Sequence, residues 1–368
     1  MLLTLLIAFA SLISLMIIHE FGHFIIAKKF GVKVEEFGIG YPPKLFGRKF
    51  GETIYSVNLI PLGAFVRIYG EEGGVDDYRS FAKLALWKRV WIVMGGVLAF
   101  WVASAIIFSA VFLTGAVVPV GDQDINGFYN AKLKITSVEQ NSPAQSAGLK
   151  KNDEILSING RWLNKTSDFQ NIVQENKGNN IAIKAIRNGS EIEINLTPRI
   201  SYPKNQGPVG VSLERMATII EKSPWYQAPF KGIIYTGQIT WQAIVGIYNV
   251  FANLFSGNGV PKGAEFAGPV GITIFLAKAA DYGFGFFMYF IGSISVFIAL
   301  FNLFPIPALD GGKLLFMAIE KIIKRPVSLK IEQSLSMVFF ILLITLSIFV
   351  TIKFDVPRAI EFWKAGLR

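Results

Sequence analysis

The chain has 368 residues, 52% of them hydrophobic and only 17% charged, with a formal net charge of +10. Average soluble domains are about a quarter charged, so this composition excludes an ordinary soluble protein and predicts a polytopic α-helical membrane protein with one or two modest extramembrane domains. The basic residues are scattered among apolar segments and form no aromatic-interleaved patch, which argues against a nucleic-acid partner and for positive-inside topology on an anionic lipid bilayer. The absence of cysteine excludes a disulfide framework.

Residues 1–28 are the first predicted transmembrane helix. The segment lacks a basic n-region and an A-x-A-like cleavage site, so it reads as a retained span. It contains Ile17-Ile18-His19-Glu20-Phe21-Gly22-His23, an H-E-x-x-H motif. His19 and His23 fall about one turn apart on one helix face, where two imidazoles can bind one zinc. Glu20 is placed to act as general base in such a site. These three are the only ionisable side chains between Met1 and Ala27, and ionisable groups at membrane depth are costly and mark function.

Residues 29–88 are rich in Lys and Arg and read as a cytoplasmic, membrane-associated β region. Gly38-Ile39-Gly40, Tyr41-Pro42-Pro43 and the run from Tyr55 to Ile68 predict short strands and turns. No crossover helix opens behind the Gly-x-Gly, so it is not a dinucleotide site. Residues 89–121 form the second predicted transmembrane helix. From 129 to 214 the composition turns polar, with strands expected at Lys132–Val138, Glu154–Ile158, Ile181–Ile186 and Glu191–Leu196, and a helix at Ser167–Glu175. Residues 226–256 read as an amphipathic helix at the interface or a linker to the next span.

Residues 283–309 are the third predicted transmembrane helix. A catalytic zinc takes three protein ligands and keeps one position open. With two histidines and no cysteine in the chain, a carboxylate is the remaining candidate, and Asp310 directly follows this apolar run. The stretch Asn302-Leu303-Phe304-Pro305-Ile306-Pro307-Ala308-Leu309-Asp310-Gly311-Gly312 breaks the helix with two prolines and two glycines. Broken backbone at membrane depth is tolerated only where protein or a watery cavity receives it. Residues 310–331 form a basic cytoplasmic loop, and residues 332–353 are the fourth predicted transmembrane helix. The charge rule then puts the N-terminus, residues 129–214 and the C-terminus outside. It also places His23 roughly 7 Å from the cytoplasmic interface, five residues before Lys28, with Asp310 at the cytoplasmic end of its own span. The two half-sites thus arrive at similar depth.

H-E-F-G-H in a first span together with N-x-x-P-x-P-x-L-D-G-G near the C-terminus resembles the site-2 protease family of intramembrane zinc metalloproteases, and within it the bacterial regulator-of-sigma-E proteases. The resemblance covers nearly the whole chain. It implies Zn2+ held by His19, His23 and Asp310, Glu20 as catalytic base, and Asn302 as a residue that helps hold the substrate backbone. It further implies residence in the bacterial cytoplasmic (inner) membrane and single-pass transmembrane substrates such as anti-sigma factors or signal-peptide remnants. Residues 29–88 match the family's membrane-associated β-hairpin or sheet, whose edge can pair with an extended substrate.

Ser142 to Gly160 is similar to the PDZ domains of bacterial proteases. The expectation is one inserted α+β PDZ domain on the extracytoplasmic side, either binding a peptide C-terminus by strand addition or filtering out folded ectodomains. Two features stand apart. Gly95-Gly96-Val97-Leu98-Ala99-Phe100 lacks both the Pro and the Asn of the Gly-Pro and following Asn usual in the second span, and Gly268-Pro269-Val270-Gly271-Ile272 matches a family motif whose role the residues do not reveal. Two other readings compete. A divalent-metal transporter needs ionisable residues strung through several spans, which the second and fourth lack, and an inactive PDZ-bearing membrane scaffold has no use for Glu20.

Overall fold

The computed structural model describes residues 2–71, 73, 77–120, 129–203, 206–256 and 267–366. The chain divides into two compact units, Met1–Leu113 with Ser223–Arg368, and Thr114–Lys222. Among the described residues, four helices are long and apolar enough to cross a membrane: Leu3–Lys29, Leu86–Thr114, Phe284–Asn302 and Leu329–Ile360. The protein is a multi-pass membrane protein.

In the first unit, α1 (Leu2–Lys29) ends on Lys28 and Lys29, which complement the helix dipole. Gly31, at φ +76°, then turns the chain, and the Val32 N–H donates back to the Ala27 carbonyl. Strands β1 (Val34–Phe50) and β2 (Thr53–Ile68) pair antiparallel. Phe37 and Gly38 each have partners on two stretches of β2, Tyr55–Ser56 and Phe65–Val66. The two long strands therefore fold over one another, with the start of β1 between the two stretches of β2. After a 3-10 turn at Phe81–Lys83 comes α2, Leu86–Thr114. Ala27, Val32, Val34, Ile68, Phe81, Ile92 and Val93 pack as one cluster that seats the sheet against α1 and α2.

The predicted second span ran to Gly121. The helix instead stops at Thr114, Gly115 takes φ +78°, and Ala116–Val120 continue as strand β3, while Gly121 lies outside the described residues. An uninterrupted apolar run does not by itself separate helix from strand.

The second unit continues with β4 (Tyr129–Val138), α3 (Pro143–Ser146), β5 (Glu154–Ile158), β6 (Arg161–Trp162), α4 (Thr166–Glu175), β7 (Ile181–Arg187), β8 (Ser190–Leu196) and β9 (Val211–Ile220). The sheet order is β3-β9-β4-β5-β7-β8, with β6 paired to β5. Its core is built from inward residues of the alternating strands, among them Leu133, Ile135, Ile155, Ile158, Ile181 and Ile183, closed by Phe169, Ile172 and Val173 of α4. Strands β3 and β9 were not expected from the sequence; β3 starts the unit before Tyr129 and β9 carries it past Glu214.

Asp153 is almost fully buried in this unit. Arg187 binds it bidentately at 2.8 and 2.7 Å and also donates to the Gly148 carbonyl, while the Lys150 N–H donates to Asp153 Oδ2. Burial pushes the carboxyl up, but these donors outweigh it and hold the group below its ordinary value. A depressed carboxyl contributes stability that is complete above its unfolded value of about 4 and is lost as pH falls through the lower folded value. Arg187→Met, which strands a buried carboxylate, is expected to cost this unit about 3 kcal/mol at pH 7. Hydrogen exchange of the β5 and β7 amides in the full chain reads this loss, which should shrink below pH 4.

The first unit resumes with α5 (Ala228–Phe255), α6 (Pro269–Asp281), α7 (Phe284–Asn302), α8 (Asp310–Ile323), α9 (Leu329–Val350), a π-helical turn at Thr351–Asp355, and α10 (Val356–Gly366). The expected loop over residues 310–331 is thus mostly the helix α8. Gly232, Thr236, Ile239 and Ala243 form a buried stripe on α5. Tyr235 meets Phe108 and Phe112, and Thr236 meets Ser104, so α5 lies along α2. The helix is not among the four long and apolar enough to cross a membrane.

The motif Gly268-Pro269-Val270-Gly271 opens α6, where the Gly268 N–H donates to the buried Asp355 at 3.1 Å and Arg358 pairs with the same carboxylate at 3.2 Å. A side chain on Gly271 would strike both Asp355 and Arg358. The motif admits a carboxylate to a helix N-terminus, where the dipole favours it. Leu276 and Ala277 of α6 in turn pack with Ala8 and Leu15 of α1, Val97 of α2, and Ile291 and Ala299 of α7. In contrast, no residue of α9 is fully buried: Glu332, Ser336, Phe339, Leu343, Ser347 and Val350 form one half-buried face, and the rest of its apolar surface is exposed. Near its start, Ser336 Oγ donates to the Pro307 carbonyl at 2.8 Å.

Candidate metal centre

Helix α1 carries His19 and His23, and α2 supplies the surface that orients them. Ile92, Gly96 and Phe100 recur every four residues and so share one face of α2. The Ile92 carbonyl accepts a 2.9 Å hydrogen bond from His23 Nδ1. That bond fixes the tautomer and leaves the Nε2 lone pair free. Phe100 stacks on the His19 ring with centroids 4.7 Å apart and an interplanar angle of 23°. Between them, a side chain on Gly96 would fall on both imidazoles. The departure from the family's Gly-Pro and Asn thus lies where the two helices come closest, since Gly22 also rests against the Gly95 carbonyl.

Asp310 reaches the same point from the first turn of α8. The broken stretch after α7 folds back over that turn, so side chains on Gly311 and Gly312 would strike the backbone of Leu303–Phe304 and of Ile306–Pro307. This close approach is the reason for two successive glycines after the aspartate.

The structure brings His19, His23 and Asp310 together. Their Nε2, Nε2 and Oδ2 atoms make a nearly equilateral triangle with edges of 3.2, 3.3 and 3.4 Å. Tetrahedral zinc with bonds of about 2.0–2.1 Å sets its ligand atoms about 3.3 Å apart. Asp310 Oδ2 is buried with no hydrogen-bond partner among the described residues. A buried anionic oxygen facing two imidazole lone pairs fits a cation and little else. The donor set and its size therefore fit zinc.

Glu20 sits half-buried, and Asp310, Lys313 and the His23 ring lie close enough to act electrostatically on its carboxyl. Asn302 is the last residue of α7 and half-buried. Sequence reasoning missed Gly96, and it missed Lys313, which pairs with Glu71. A doubled glycine where the family has other residues was the one available signal.

Spans packed around a membrane-depth His-His-Asp triangle with a neighbouring glutamate define the class of an intramembrane metallohydrolase. The model of peptidase family M50 matches residues 7–346, and the chain belongs to this family, that of the site-2 proteases. Among its relatives, a Clostridium perfringens protein named provisionally as a zinc metalloprotease is 34% identical, over 95% of this chain and 96% of that one. One from Clostridium acetobutylicum, named the same way, is 33% identical over 95% and 96%. The zinc metalloprotease RasP of Geobacillus kaustophilus is 25% identical over 92% and 94%. Of solved structures, the PDZ domain of an SdrC-like protein from Listeria monocytogenes matches 25% of this chain and 90% of that one at 20% identity, with a TM-score of 0.20.

Proposed function

We propose that this chain is a zinc metalloendopeptidase of the bacterial inner membrane that cuts single-pass proteins within their transmembrane segments. Anti-sigma factors and signal-peptide remnants are the substrate classes that suit it. The observation that carries this reading is the triangle of ligand atoms with zinc dimensions and an otherwise partnerless Asp310 oxygen.

His19, His23 and Asp310 hold the zinc. Bound there, the metal supplies polarisation of the scissile carbonyl and activation of a water near neutral pH. The Glu20 carboxylate takes the proton of the attacking water and returns it to the leaving amine nitrogen. A helical substrate hides its peptide bonds in its own hydrogen bonds, so it must unwind locally. In this reading the side-chain amide of Asn302 and the edge of β2 hold the unwound backbone.

By the positive-inside rule, the β region and α8 lie in the cytoplasm. The second unit lies outside, as a PDZ domain that binds a peptide C-terminus or excludes bulky ectodomains. The polypeptide strand order and the Ser142 to Gly160 stretch support that assignment. The test is cleavage of a model single-pass substrate by the purified protein, stripped of metal with phenanthroline and then given Zn2+. Activity is expected to vanish on stripping and return with zinc, whereas cleavage by metal-free protein would overturn the proposal.

A further inference from the structure

The first turn of α8 contains a residue that elementary electrostatics does not favour. Lys313 stands one turn after Asp310, at the positive end of the helix dipole, where cations are disfavoured. Its ammonium is held by Glu71 at 2.5 Å, and the Asp310 and Glu20 carboxylates also lie in its field.

Glu71 is rigidly tied to the end of β2. Its N–H donates to the Ile68 carbonyl, Gly70 takes φ +71°, and Tyr69 is bonded through Lys33 on one side and Phe81 on the other. Just upstream, Phe65, Val66 and Arg67 pair on one side with Gly38, Phe37 and Glu36. These same three residues line a cleft of about 620 Å³ that runs on to Tyr69 and Glu71. An edge of this kind can accept a further strand. One short turn and one ion pair thus connect a strand-accepting edge to the helix that presents Asp310.

We propose that Lys313 and Glu71 are positioning residues that clamp the β2 edge to the first turn of α8. The clamp fixes the register between an edge-bound substrate strand and the His19–His23–Asp310 triangle. The inference rests on the proteolytic reading given above. Its logic is that a strand bound to a movable edge still reaches the centre but presents neighbouring bonds to it, because displacement of about 1 Å in a reacting group is enough to cost catalysis.

The test uses the full chain in nanodiscs, as wild type, Lys313→Met, Glu71→Gln and the charge swap Lys313→Glu with Glu71→Lys. The chain has no cysteine, so spin labels on Arg67→Cys and Lys321→Cys report the distance between edge and helix without substrate. In the single variants this distance distribution is expected to broaden and zinc content to stay stoichiometric. Their kcat/KM should fall roughly tenfold to a hundredfold, with cleavage spreading from one bond to its neighbours. The swap is expected to restore a narrow distribution and single-bond cleavage. Single variants with an unchanged distribution and an unchanged cut site overturn the clamp, as does a swap no better than its parents or loss of zinc from the singles. If wild type cleaves nothing, the proteolytic reading fails, and the spin-label distances still decide whether the clamp exists.

Discussion

Glu20→Gln is expected to lower kcat by about a hundredfold to ten-thousandfold, the range supplied by a positioned general base, while zinc remains bound in stoichiometric amount. The second half follows from geometry: the triangle is complete with His19, His23 and Asp310, and Glu20 is not one of its corners. The substitution keeps the size of the side chain and removes only its capacity to accept and return a proton. Purified variant and wild type, compared for metal content and for cleavage of a single-pass substrate, give both numbers at once. A variant that loses its zinc would make Glu20 a part of the metal shell. A variant that keeps full activity would remove it from the chemistry.

Gly96→Val is expected to empty the centre altogether, with zinc content near zero and cleavage below detection. Even the first carbon of a side chain here falls on the imidazoles of His19 and His23. Relief by helix movement is blocked at the adjacent residues, where Gly22 and the Gly95 carbonyl are already in close approach. The rings must therefore rotate off their ligand directions, breaking the His23 bond to the Ile92 carbonyl that fixes its tautomer. Metal analysis checks the outcome, and circular dichroism shows that the helices persist. Val97→Leu, the same kind of change one residue further on the helix, serves as the comparison because it alters packing without pointing at the histidines.

The metal-site chemistry was legible because it is local. Four-residue spacing puts His19 and His23 on one face, and a chain with two histidines and no cysteine leaves a carboxylate as the third donor. The broken stretch before Asp310 marks where that donor is presented. What was not legible depends on which elements meet. Gly96 carries no chemistry of its own, and its role exists only because α2 crosses α1 at Gly22. The pairing of Lys313 with Glu71 spans two distant parts of the chain, and no periodicity announces it.

Helix ends failed for a related reason. Hydropathy extends the second span through Ala116–Val120, although Gly115 has already turned the chain into a strand. The fold-back of Phe304–Pro307 onto Gly311 and Gly312 was partly visible as broken helix, but the contact itself was not. Similarly, the role of Gly268 and Gly271 appears only when Asp355, far along the chain, is seen to dock on them.

The unpacked surface of α9 makes bilayer thickness a variable of the active centre. A helix held on all sides by protein keeps the tilt its neighbours impose, but one with most of its surface exposed to hydrocarbon adjusts its tilt to hydrophobic mismatch. Its far end is anchored through Asp355 and the turn beside it, and near its start Ser336 is bonded to the Pro307 carbonyl. A thinner membrane is therefore expected to change the tilt of α9 and to load the Ser336 bond to the proline segment that precedes Asp310. Cleavage rates in bilayers of graded lipid chain length are expected to vary with thickness, and a Ser336→Ala variant, which lacks the bond to Pro307, is expected to lose that dependence.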